Sequence, residues 1–126
     1  MPYGSIICLI STLNDIDISR HSQAFSKLQG DGTILIARDS RIHGKKFLDS
    51  ATVALKKCGR KIINYDIIPT PTAQFIVEKK RYAGGIVITA SHNPAQWNGL
   101  KFIDANGCFL DSDKNNELFK IADSGI

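Results

Sequence analysis

At 126 residues the chain lies in the single-domain range, long enough to bury roughly two-thirds of the surface its unfolded form exposes. Its 43% hydrophobic and 22% charged residues are those of an ordinary soluble protein, and the net charge of +4 is dispersed over Lys45-Lys46, Lys56-Lys57, Arg60-Lys61 and Lys79-Lys80-Arg81. Two of those groups fall at predicted helix C-termini, where cations complement the macrodipole, so the charge reads as solvated surface and not as a nucleic-acid patch.

Cys8, Cys58 and Cys108 are odd in number and share no C-x-x-C spacing. That argues against a disulfide scaffold or a zinc site and for a reducing, cytoplasmic setting. The apolar run Ile6 to Ile10 is too short for a signal segment and nothing reaches transmembrane length, so no membrane partner is expected.

In chain order, Tyr3 to Ser11 predicts a first strand, its Ile-Ile-Cys-Leu-Ile run suited to a position covered on both faces. Asp17 or Ser19 can cap a helix whose stripe is Ile18, Ala24, Phe25 and Leu28, and Gly30 ends it. Thr33 to Ala37 predicts a central strand that empties into the charged segment Arg38 to Gly44, in which Asp39 is expected to organise the loop. Phe47, Ala51, Ala54, Leu55 and Cys58 mark a helix closed by Gly59, and Lys61 to Ile68 alternates as a strand. Thr70 as N-cap, with Pro71 at the first helical position, predicts a helix over Thr72 to Lys80.

Gly84-Gly85 then precedes a β-branched run, Ile86 to Thr89, that stops at Ala90-Ser91-His92-Asn93-Pro94. Leu100 to Ile103 and Cys108 to Leu110 flank an Asn106-Gly107 hairpin turn, and Asp111 or Ser112 caps a last helix carrying Leu118, Phe119 and Ala122. Strands alternating with helices predict one domain over 1–126 of the α/β class. The expected architecture is a three-layer α/β/α sandwich whose sheet is parallel in its middle and mixed at an edge. Loops that carry chemistry gather at the carboxyl ends of such strands, where both Arg38 to Gly44 and Ala90 to Asn98 emerge.

The Ser91 segment admits several readings from its residues alone. Ser91 and Asn93 can simply turn the chain before Pro94. A hydrolase elbow requires G-x-S-x-G, but Ser91 is flanked by Ala90 and His92. Neither G-x-G-x-x-G nor the P-loop spacing occurs.

Thr89-Ala90-Ser91-His92-Asn93-Pro94, followed by Asn98-Gly99 and Lys101-Phe102, resembles the active-site serine loop of the α-D-phosphohexomutases. That superfamily includes phosphoglucomutase, phosphomannomutase and phosphoglucosamine mutase. The Arg38-Asp39-Ser40-Arg41 and Ile68-Pro69-Thr70-Pro71-Thr72 segments resemble it too, and the similarity runs from Tyr3 to the last helix. It implies domain I of a four-domain mutase, with domains II to IV outside this chain. The implied reaction moves phosphate between C1 and C6 of a hexose phosphate through a hexose bisphosphate.

Ser91 is the implied phosphoserine, and through its phosphate it would be this chain's one ligand to Mg2+, the other ligands coming from a further domain. Lys101 is the implied acid or base, or else a strand lysine facing solvent. His92 either assists proton transfer or fixes the loop. Arg38, Arg41 and Asn93 are implied on the substrate side, and Trp97, taken as mid-loop, is a packing anchor. The frame Gly4-Ser5-Ile6-Ile7-Cys8 falls where the superfamily has a Gly-x-x-Arg-Gly turn, with Ile7 and Cys8 in place of arginine and glycine. Gln96-Trp97-Asn98 slightly resembles phosphoglucosamine mutases. A phosphoglucosamine mutase domain, or a non-catalytic remnant acting by binding or assembly, are the alternatives.

Overall fold

The computed structural model describes residues 5–9, 15–40, 44–88 and 97–124. Among the described residues five strands and four helices follow in the order β1 (Ser5–Leu9), α1 (Asp15–Leu28), β2 (Ile34–Arg38), α2 (Gly44–Lys57), β3 (Ile62–Ile67), α3 (Thr70–Lys79), β4 (Gly84–Ile88), β5 (Trp97–Ile103) and α4 (Ser112–Asp123). The strands form one sheet ordered β1-β5-β4-β2-β3. β4, β2 and β3 are parallel neighbours, while β5 runs antiparallel to both β4 and β1.

Strand alternation sends side chains to two cores. Ile34, Ile36, Ile86, Ile88, Leu100 and Phe102 meet Phe25 of α1, Phe47, Ala51 and Leu55 of α2, and Leu118 of α4. Leu35, Ala37, Val87 and Ile103 meet Ala73 and Val77 of α3 on the opposite face. This is the expected three-layer α/β/α sandwich, with three helices on one side and one on the other. Fully burying each such Ile, Leu or Phe stabilises the fold by about 1.5–3 kcal/mol before chain entropy is counted.

Gly84 and Gly85 are the first two residues of β4, not a preceding loop. A Cβ on Gly84 would sit 2.7 Å from the Phe25 ring and 2.8 Å from the Ile103 carbonyl oxygen. The missing side chain thus lets Phe25 lie on the sheet and stack against Phe102, with centroids 5.1 Å apart.

Several expected boundaries move for local reasons. Helix α1 begins at Asp15, ahead of either proposed cap. Helix α3 is capped by Pro69 with no side-chain hydrogen bond, so Thr70 and Pro71 occupy its first turn and Thr70 is not the N-cap. Its first helical bond runs from Ala73 N–H to the Pro69 carbonyl, and a proline in that turn costs nothing because its missing N–H would have no partner. Asp111 does cap α4, accepting the Lys114 N–H at 2.9 Å. β1 lies at the edge of the sheet, paired with β5 among the described residues.

The Asp104–Gly107 turn forms as expected, and it is Gly107 (φ +82°) that takes the left-handed conformation after an Asp104 carbonyl–Gly107 N–H bond of 2.9 Å. Beyond the turn, pairing is limited to one bridge, Ile103 with Phe109.

Candidate active site

The candidate site lies at the carboxyl ends of β2 and β4. All five residues of β4 are buried, so the strand is a rigid stem whose last residue, Ile88, is held on both sides. It pairs with Arg38 of β2 and Leu100 of β5, and its carbonyl accepts the Asp39 N–H at 3.0 Å. The Ser91 segment starts immediately beyond. Ser91, His92, Asn93 and Arg41 lie outside the described residues, so the site is built from the groups around them.

Lys101 sits on β5 opposite Val87, which puts its side chain on the α3 face of the sheet with Val87 and Ile103. It is half-buried, and its ammonium stands 5.5 Å from the centroid of the Phe109 ring. Burial pulls its pKa below the ordinary lysine value, while the negative charge of Asp39 acts in the other direction. Lys101 is therefore no freely solvated strand lysine.

Arg38 follows Ile34 and Ile36 onto the three-helix face, so alternation carries it away from Lys101. Its side chain is only 14% exposed, and its Nε donates to Asp66 Oδ1 at 2.9 Å. The carboxylate that pairs with Arg38 comes from the neighbouring strand β3. The pairing depends on an irregularity in β3, where the register slips opposite Ile36/Ala37 and Asp66 adopts φ +56°. The Asn64 side-chain oxygen stabilises that left-handed residue by accepting its N–H at 2.7 Å.

Asp66 and Phe109 were absent from the sequence-based site. The Asn64-x-Asp66 spacing carried a local turn signal, whereas Phe109 carried none beyond an ordinary hairpin apolar residue. Trp97 is the first residue of β5, in register with Leu9, and not a mid-loop residue. Ile7 and Cys8 lie within β1, in register with Gly99 and Asn98, inside the strand predicted over Tyr3 to Ser11. Among the described residues no group of three His, Cys, Asp or Glu side chains could hold a metal ion. Nor is any of their helices long and apolar enough to cross a membrane.

A parallel β4-β2-β3 unit with a buried central stem, and charged groups where it ends, defines an α/β protein of the class whose sites are built at the carboxyl edge of the sheet. Residues 9–125 match the family described as phosphoglucomutase/phosphomannomutase, alpha/beta/alpha domain I, and the chain belongs to that family. It is 39% identical over 95 residues to a phosphoglucosamine mutase of Prochlorococcus marinus (strain MIT 9312), an alignment covering 75% of this chain and 21% of the relative.

The fold superposes on a phosphomannomutase-type protein of Thermus thermophilus with a TM-score of 0.90 at 25% identity, covering 97% of this chain and 29% of that one. A phosphoglucomutase/phosphomannomutase family protein of Burkholderia thailandensis gives 0.80 at 25% identity, covering 98% and 30%. The chain thus spans about a fifth of the length of the curated relative and under a third of the solved structures.

Proposed function

We propose that this chain is the phosphoserine-bearing part of a hexose phosphate mutase, with Ser91 as the residue that gives and takes the phosphoryl group. The observation that carries the reading is Lys101. A partly desolvated amine lies one strand from the stem that leads into the Ser91 segment.

In the proposed cycle the Ser91 phosphate ester is cleaved as its phosphoryl group bonds to the free hydroxyl of a hexose monophosphate, yielding a bisphosphate. The other phosphoryl group then returns to the Ser91 oxygen, so phosphate moves between C1 and C6 with no net change at the protein. The attacking hydroxyl must lose a proton, and Lys101 is the acceptor we assign. Desolvation enlarges the neutral fraction of the amine that can take it. His92 assists that transfer or fixes the loop, and Asn93, Arg38 and Arg41 face the anionic substrate or shape its cleft.

The described residues offer no carboxylate set for a cation. In this proposal phosphorylated Ser91 would be the one Mg2+ ligand from this chain, and bound magnesium would offset charge on the transferring group. The relatives' name favours a glucosamine phosphate among hexose phosphates. A reducing cytoplasm fits a protein in which Cys58 and Cys108 are both free and exposed. Residues 1–126 alone leave the sheet edge open to water, which would hydrolyse the phosphoserine, so negligible turnover is expected of them without further domains.

The test is a chimera in which residues 1–126 replace the matching segment of the Prochlorococcus phosphoglucosamine mutase. After incubation with a hexose 1,6-bisphosphate, peptide mapping should place one phosphate on Ser91, and Ser91→Ala should abolish it while the protein still melts cooperatively. Phosphate on Ser40 or Ser112 would overturn the assignment.

A further inference from the structure

Phe109 is eight residues beyond Lys101, and the fold rather than the sequence brings its ring to the ammonium. The 104–110 hairpin returns the chain along β5 through the Ile103–Phe109 bridge, with the Leu110 N–H donating to the Phe102 carbonyl at 3.3 Å and the Asp104 N–H to that of Cys108 at 2.7 Å. A bridged pair shares one face, so Phe109 lies on the α3 side with Ile103 and Lys101.

Helix α3 clamps the tip of this hairpin. Gln74 Nε2 donates to the Gly107 carbonyl at 3.2 Å, and a Cβ on Gly107 would come within 2.8 Å of the Gln74 backbone oxygen. The ring is therefore delivered by a backbone fixed at three points. Across β4, at the end of β2, stands Asp39, the charged group whose field reaches Lys101.

From this geometry we infer that Phe109 is a positioning residue for Lys101, its ring face holding the ammonium on the α3 side of β5. An aromatic face attracts the cation without supplying a proton acceptor of its own, so it orients the amine without engaging its hydrogen-bonding capacity. Asp39 attracts the same group from the opposite side, and the two together confine it between β2 and the hairpin. The inference rests on the proposed role of Lys101, but the coupling between ring and amine is measurable apart from any mutase reaction.

The experiment uses the 126-residue chain labelled with 13C at lysine Cε, the Lys101 signal being assigned with Lys101→Arg. Its Hε protons should be shifted upfield by the ring in the unsubstituted protein; an unshifted signal overturns the inference. Phe109→Leu, which keeps apolar cover and removes the ring, should raise the acid dissociation constant of Lys101 about two- to fivefold, while Phe109→Tyr holds it within about twofold. Leucine without effect, or tyrosine acting like leucine, counts equally against it.

In the chimera, Phe109→Leu should lower kcat with KM nearly unchanged, and Phe109→Tyr should restore kcat. If the chimera shows no phosphate on Ser91, the mutase reading fails while the titration still reports on the pair. If Ser91 is phosphorylated and Phe109→Leu leaves kcat intact, the positioning role fails alone.

Discussion

The two ends of the parallel strands use charge in opposite ways. At the amino ends, Arg60 donates to the carbonyls of Ser26, Gln29, Gly30 and Gly32 at 2.6–3.0 Å and to Ser26 Oγ at 2.9 Å, closing the C-terminus of α1. Beside it the Gln29 amide donates to the Ala83 carbonyl and to Asp104, which also accepts from Lys114 at 2.6 Å. These groups are spent on fastening backbone. At the carboxyl ends, Lys101 is half-desolvated against an aromatic ring, and Arg38 is held by a carboxylate that is 61% exposed and sits on a left-handed residue. Fastening hydrogen bonds are concentrated at one edge of the sheet and the desolvated amine at the other, while among the described residues each edge has one left-handed non-glycine residue, Arg81 before β4 and Asp66 in β3.

The largest effect expected from breaking this contrast is at Arg60. Arg60→Met keeps the stem but strips four carbonyls of a charged donor, and should cost about 2–4 kcal/mol, read as a fall in the urea midpoint. In the chimera the rate of Ser91 phosphorylation should hold under conditions where the variant is folded. A large loss of rate would show that the two edges are coupled.

Asp104 should give a smaller, pH-dependent effect. Burial raises its pKa, but hydrogen bonds from Gln29, Lys114 and the Ala105 N–H, with the Lys114 charge, outweigh burial and hold it below the ordinary carboxylate value. A depressed folded pKa means stabilisation that is fully present above the unfolded value and is lost as pH falls through the folded one. Urea midpoints taken from about pH 7 down to about pH 2 should therefore fall more steeply below about pH 4 in the unsubstituted chain than in Asp104→Asn. Parallel curves would remove Asp104 from the fastening set.

The smallest effect belongs to the other edge. Asp66→Gly relieves the φ +56° backbone while removing an exposed ion pair, and the two changes should nearly cancel, leaving stability within about 1 kcal/mol. Chemical denaturation checks this directly, and a loss of several kcal/mol would mean that the Arg38 pair is part of the scaffold.

The alternation of strands and helices was legible because it rests on short-range pattern. β2 announces itself as an apolar run and β4 as a β-branched one, and Asp111 caps α4 as its residue type suggests. An apolar run predicts a strand at β1 but does not say whether that strand will be central or at an edge. Polar Gln96-Trp97-Asn98 gave no sign that β5 starts at Trp97. Arg60 looked like surface charge because its partners are carbonyls about 30 residues upstream, invisible to any side-chain pattern. Likewise Arg38 could be paired with an acid only once β2 and β3 were known to be neighbours.

Strands β4 and β5 are adjacent and antiparallel, with Ile88 opposite Leu100, so the Ser91 segment is a bight tied off at both ends on the same pair of strands. Extra residues inserted into that bight need not disturb either anchor. A single residue inserted between Leu100 and Lys101 would instead turn the remainder of β5 over, sending its apolar side chains to the wrong core. The position of Lys101 is thus protected by the hydrophobic pattern around it: the lysine could not shift by one place along β5 without forfeiting the sheet.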